Sequence, residues 1–215
     1  MSADTATVAT AVTVTEPTEP TAPPTNPAQP LADPLPLGLG SFGVSVLLLA
    51  ITQAGLVEPA ALPVSVLAVA LTAGGLGHVV AGLLHFARGE GFPGTVFLSY
   101  ASFWFSYVLI VQFYAPSVIA KGGNPTAAIG WFLIAYAVVT TYFFITSLAT
   151  TKTLALLFTL LLIGFCTVAI ATFTGNSMVG AVAGWVLLAD SLVALYMSAA
   201  LTMNHTWGRV LLPTP

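Results

Sequence analysis

From residue 35 onward, apolar residues run in six long stretches, and polar positions gather in the short gaps between them. The stretches lie at approximately 36–54, 62–87, 93–117, 125–149, 153–173 and 177–204. A helix crossing roughly 30 Å of hydrocarbon needs about 20 residues, and backbone groups in lipid are satisfied only inside helices or closed barrels. The pattern therefore predicts an all-α membrane protein with six transmembrane helices. Each gap carries breakers or polar residues: Glu58-Pro59, Arg88-Gly-Glu-Gly91, Lys121-Gly-Gly-Asn-Pro125, Thr150-Thr-Lys152 and Thr174-Gly-Asn-Ser177. Charge acts as punctuation. Glu58, Arg88, Glu90, Lys121, Lys152 and Arg209 sit between or just beyond the stretches, and only Asp190 falls inside one.

Composition narrows the class further. With 57% hydrophobic and 5% charged residues, and a mean hydropathy of +0.98, the chain lacks the polar surface of a water-soluble domain. Lys and Arg together number 4, too few for a nucleic-acid backbone, so no nucleic-acid partner is expected. Cys166 stands alone in an apolar run, which excludes an intramolecular disulfide and is read as a small core residue. Residues 1–30 are rich in Thr, Ala and Pro, have little to bury, and are expected to form a disordered cytoplasmic tail without the pattern of a signal peptide. Residues 31–210 form the membrane domain, and 211–215 a short end.

Orientation follows the basic residues. With both termini cytoplasmic, Arg88, Lys152 and Arg209 lie inside and only Lys121 lies outside. Trp131 and Trp207, near span ends, fit interfacial anchors; Trp104 and Trp185 lie deeper and are expected to pack. Small residues recur four apart at Ala70 and Gly74, Gly77 and Ala81, and Gly180 and Gly184, a spacing that lets helix backbones approach closely.

Three loci carry candidate chemistry. Pro34-Leu-Pro-Leu-Gly-Leu-Gly-Ser-Phe-Gly43 opens the first span, with Asp33 where an N-cap would sit. Gly38 and Gly40 there either expose amide N–H groups to an anion or belong to an ordinary capped helix start. Thr72-Ala-Gly-Gly-Leu-Gly-His78 either leaves room for a permeant molecule beside a buried, titratable His78, or packs tightly with His78 bonded to a carbonyl. Asp190 is either a proton-relay acid or a neutral acid bonded between helices, on a face that includes Ser191 and Ser198. His85 and His205, near span ends, are expected to snorkel or face water. Enzyme readings fare badly: no metal-ligand cluster, no phosphate loop and no mid-span Lys is present, so no metal and no cofactor are expected. What remains is passage of a small solute along a mostly apolar route with hydroxyl candidates Ser99, Tyr100, Ser102, Ser106, Thr140 and Thr141.

Read together, these loci resemble a known family. Pro34-Leu-Pro-Leu-Gly-Leu39 is similar to the signature Asn-Pro-Ala-Pro-Leu-Gly-Leu of the acetate uptake transporters, the succinate–acetate permeases. The resemblance continues through Gly74-Gly75, Ala81-Gly-Leu-Leu84, Ser99-Tyr100, Ser102-Phe-Trp104, Gly175-Asn176, Ala183-Gly-Trp185 and Trp207-Gly-Arg209 with Pro213, covering residues 33–215. It implies a homo-hexamer in the cell membrane with one solute route per protomer, carrying acetate and in some members succinate, with proton coupling. It also implies a hydrophobic constriction at Phe42, Tyr100 and Leu161, with Ala194 tuning its width. Gly38, Gly40, Ser99 and Ser102 are candidates for the pathway or its selectivity, and His78 and Asp190 for proton coupling. The chain departs from the pattern at Asp33, Leu35, His78, His85 and Asp190. Two mechanisms are open, proton-coupled symport and passive conduction of the anion; a non-transporting scaffold or sensor is the third reading.

Overall fold

The computed structural model describes residues 31–58 and 63–213, so the expectations for residues 1–30 and for Pro59 lie outside the described residues. Residues from Leu31 on form one compact unit. Six helices are long and apolar enough to cross a membrane: α1 (Leu35–Gln53), α2 (Val64–Ala87), α3 (Gly91–Ala120), α4 (Thr126–Ser147), α5 (Lys152–Thr174) and α6 (Ser177–Trp207). They coincide with the six apolar stretches. The last runs three residues past the expected end and stops at Gly208, whose φ of 61° is open to glycine without strain.

Local signals set the helix ends. Pro36 is compatible with the first turn of α1, where its missing N–H costs no bond, and the Asp33 carboxylate accepts from Leu35 N at 2.9 Å. Gly175 ends α5 with φ 65°, and the Asn176 side chain then accepts from Met178 N and Val179 N to start α6. Two helices contain π-helical turns. In α2 these are Pro63–Leu67, which opens one residue before the span, and Ala70–Gly77; in α3 it is Ile110–Tyr114. The sequence gives the glycine run that loosens α2, but nothing in its hydropathy separates a π-turn from an α-turn.

The helices pack as a closed circuit. α1 lies along α6 and against α2; α2 packs on α3, α6 on α5, and α5 on α4. Side chains close the circuit between α3 and α4, through Tyr100 to Thr140 and the stacked rings of Phe103 and Phe132 at 5.4 Å. Glycine enables the tightest approaches. A Cβ on Gly184 would fall 2.2 Å from Ala54 N, and one on Gly43 would fall 2.6 Å from the Leu195 side chain. The paired small residues read from the sequence work inside the protomer: Gly74 receives the Trp104 ring and Gly77 receives Ser41.

Three expectations are corrected. Cys166 is exposed on the outer surface, because its turn of α5 points away from the bundle. Trp185 is 54% exposed, because it stands roughly 100° around α6 from Gly184 and the backbone contact made there. His85 is 2% exposed, because the turn after it folds Glu90 back over the ring.

Gly184→Ala should lower the melting temperature of the detergent-purified protein, by the equivalent of about 1–3 kcal/mol of overpacking. Gly91→Ala, at a site with nothing within 4 Å of the added Cβ, should leave it unchanged.

Candidate functional site

Two cavities lie inside the circuit, of about 480 Å³ and about 260 Å³. Their linings follow the helices in order. On α1 the larger cavity is lined by Leu35, Leu39 and Phe42, and the smaller by Phe42, Val46, Leu49 and Gln53. On α3 the larger is lined from Phe92 to Tyr100, and the smaller from Tyr100 to Val111. On α5 the changeover falls between Phe158 and Leu161. Phe42 and Tyr100 line both cavities, so their rings form the partition between them. Their centroids stand 6.2 Å apart.

The partition draws on other helices at the same depth. Phe42, Tyr100, Leu161 and Ala194 belong to one buried cluster, none more than 5% exposed. The His78 ring meets Phe42 edge-on at 6.3 Å. On α6, Asp190 and Ala194 fall between Leu187, which lines the smaller cavity, and Tyr196, which lines the larger.

The Tyr100 hydroxyl at the partition is paired within the protein. Thr140 donates to the Tyr136 carbonyl at 2.7 Å, using its only proton. The Tyr100 hydroxyl, 3.0 Å from Thr140 Oγ1, must therefore be the donor of that pair. The Tyr100 O–H is thus committed to Thr140, and what the two cavities share is the rings of Phe42 and Tyr100.

The remaining candidates separate clearly. Gly38 and Gly40 do not present free amides to a cavity. The helix already begins at Leu35, so Gly38 N is bonded to Pro34 O at 3.1 Å. The Phe97 ring occupies the space over Gly38, and Ser198 lies over Gly40 while donating to Pro36 O at 2.7 Å. Ser102 is exposed and bonds Leu98 O, and Thr141 is exposed and bonds Ala137 O. Ser99 and Ser106 are part-buried and line neither cavity.

His78 and Asp190 are both fully buried. His78 Nδ1 lies 3.3 Å from Ala73 O, five residues back, a carbonyl brought within reach by the π-turn; its Nε2 has no partner. Trp104, Phe105 and Ser41 fill the space over the glycines before it, which favours the packing alternative for this run. Neither Asp190 oxygen has a hydrogen-bond partner among the described residues, and Asp190 lines neither cavity. His205 is exposed.

The larger cavity carries a group that sequence reasoning passed over. Gly89, at φ 78°, turns the chain so that Glu90 Oε2 reaches His85 Nδ1 at 2.5 Å while Oε1 accepts from Arg88 Nε at 2.9 Å. Arg88 also donates to the Leu31 carbonyl. The bonds from His85 and then Arg88 hold the Glu90 carboxyl below the usual carboxylate range. The signal was present as an Arg-Gly-Glu turn one helical step after a histidine, but it was read as topology alone.

Comparison with known proteins now adds to this geometry. Residues 16–214 match the model of the GPR1/FUN34/yaaH family. The chain belongs to that family. It is 32% identical over 183 residues to the succinate-acetate/proton symporter SatP of Escherichia coli K12, covering 85% of this chain and 95% of that one. It is 29% identical over 175 residues to ammonia transport outward protein 2 of Saccharomyces cerevisiae, covering 79% of this chain and 61% of that one. Among solved structures, the bacterial acetate channel SatP matches with a TM-score of 0.77 and 31% identity, over 86% of this chain and 99% of that chain. The family and the six apolar helices make this an integral, multi-pass membrane protein.

Thr140→Val should leave the buried Tyr100 hydroxyl without its acceptor and cost about 1–3 kcal/mol in thermal unfolding. Adding Tyr100→Phe to Thr140→Val should recover part of that loss, which a double-mutant cycle of melting curves measures.

Proposed function

We propose that the protein moves acetate and related small carboxylates across the cell membrane, through the two cavities and the neck between them. The observation that carries this reading is the pair of cavities that share Phe42 and Tyr100. The names of the similar proteins, a succinate-acetate/proton symporter and an acetate channel, supply the substrate class. In this reading Phe42, Tyr100 and Leu161 form a hydrophobic constriction that strips water from the solute and sets its size, while Ala194 governs the width. Succinate, longer and carrying a second charge, is the harder substrate.

Proton coupling is the leading mechanism. It is supported by two buried groups able to take up or release a proton, His78 and Asp190, with atoms left unpaired at the depth of the neck. Passive conduction of the anion is the second reading, favoured by the coexistence of both cavities in one conformation with a single layer of rings between them. A non-transporting scaffold or sensor has no comparable observation behind it. The family resemblance supports a homo-hexamer. Cytoplasmic termini place the Arg88–Glu90 turn, Lys152 and Arg209 on the inner side, in keeping with the positive-inside rule.

Two experiments test the reading. Phe42→Ala and Tyr100→Ala in sealed vesicles should raise lactate and succinate flux relative to acetate; unchanged ratios in both variants would remove the neck from the mechanism. With wild-type protein and voltage held constant, accumulation of acetate against its gradient when only the proton gradient is varied supports symport. Rates that track acetate and voltage alone support conduction, after subtraction of acetic acid leak through protein-free vesicles.

A further inference from the structure

Arg88 is the one Lys or Arg that lines either cavity, and its guanidinium is only partly used. Nε binds Glu90 and one Nη nitrogen binds the Leu31 carbonyl; the other Nη nitrogen has no partner among the described residues, and the side chain is 28% exposed. A carboxylate of the protein's own, Glu90, already rests on this guanidinium. It is shared with His85, a ring buried beneath it and stacked on Phe97 at 5.5 Å. Because an ionised carboxylate can only accept, His85 Nδ1 carries a hydrogen toward Glu90, and any further proton must reside on the unpartnered Nε2.

We propose, resting on the reading that this cavity belongs to the carboxylate route, that Arg88 is a carboxylate-docking residue at the wide cavity and that protonation of His85 makes it available. With His85 neutral, Arg88 is the partner that balances Glu90. With His85 protonated, the imidazolium balances Glu90 and the Arg88 charge is left for a substrate carboxylate. The other groups of this cavity agree in sign. Asp33 from the segment before α1 adds a negative charge, and Tyr100 and Tyr196 add none at neutral pH, so the wall carries a net −1 with His85 neutral and zero with it charged. A monocarboxylate therefore enters more favourably by one charge when His85 is protonated, and the proton and the anion arrive as a pair. His78, on the far side of Phe97, is the next titratable ring inward.

The test is calorimetric binding of acetate to the full purified chain between about pH 5.5 and pH 8, where acetate is mostly the anion and histidine titrates. Wild-type affinity should fall as pH rises, by up to about tenfold per pH unit for one linked proton. Buffers of differing ionisation enthalpy should show proton uptake on binding. Arg88→Gln should weaken binding about tenfold or more at low pH, and His85→Gln should make affinity independent of pH. Glu90→Gln frees Arg88 permanently, so at pH 8 it should bind acetate about tenfold more tightly than wild type, a gain that misfolding cannot mimic. Unchanged binding in Arg88→Gln, or weakened binding in Glu90→Gln, overturns the docking site; if wild-type vesicles still carry acetate, the transport reading stands alone. A wild type that neither binds nor carries acetate overturns both.

Discussion

Phe42 can stand in the neck only because α1 is held against α6 at backbone distance. In a bilayer no hydrophobic force drives two apolar helices together, so van der Waals contact and hydrogen bonds must do so. Gly43 and Gly184 remove the side chains that would keep the axes apart, and the Ser198 hydroxyl donates across the same seam to Pro36 O. Gly43 faces α6 one residue after Phe42, roughly 100° around the helix. The glycine therefore fixes the axis, and the axis fixes how far the neighbouring ring reaches toward Tyr100. A bulkier residue at 43 would displace α1, and with it the partition between the two cavities.

That dependence explains which features were legible in the sequence. The six spans were, because lipid demands length and apolarity of every crossing segment and the gaps carry visible breakers. Phe42, Tyr100 and Leu161 were named from family motifs; hydropathy alone does not separate one buried ring from another. At Gly38 and Gly40 the sequence left an anion-facing and an ordinary helix start open; the structure favours the ordinary one, because the helix starts early enough to use the Gly38 amide internally and Phe97 fills the space above it. His85 was placed near water by its position at a span end. Its burial is a consequence of the Gly89 turn, which acts over five residues and leaves no periodic trace. The π-turns of α2 were hidden for a similar reason: the longer of them lies where Trp104, Phe105 and Ser41 pack onto glycines, a tertiary contact that hydropathy does not record.

In the proposed reading, a neutral partition is selective through its hydrogen bonding. The proton of Tyr100 is committed to Thr140, and that of Thr140 to Tyr136, so the chain of donors runs away from the route. An anion at that level loses water without receiving a hydrogen bond in exchange, a cost that grows steeply with charge. In the proposed route, selectivity then comes from exclusion: one charge on a small body is the least costly cargo, and a second charge is penalised more than an added methyl group. A buried Lys or Arg in the neck would lower the entrance cost for every anion and would also hold it there.

The two cavities are unequal in a way that bears on direction. Asp33, Arg88 and Glu90 line the larger one; the smaller is lined by Gln53 and Thr172 among aromatic and aliphatic residues and has no charged group. An anion on the charged side can be met by a cation whose balance shifts with one proton, whereas on the other side it is met only by dipoles. The two faces of the neck therefore differ in charge: ionisable side chains line one cavity and none with a formal charge lines the other. Under conduction this asymmetry would tune entry rate at one mouth. Under symport it would put the first protonation outside the neck, and leave His78 and Asp190 to act on a solute that already carries its compensating proton.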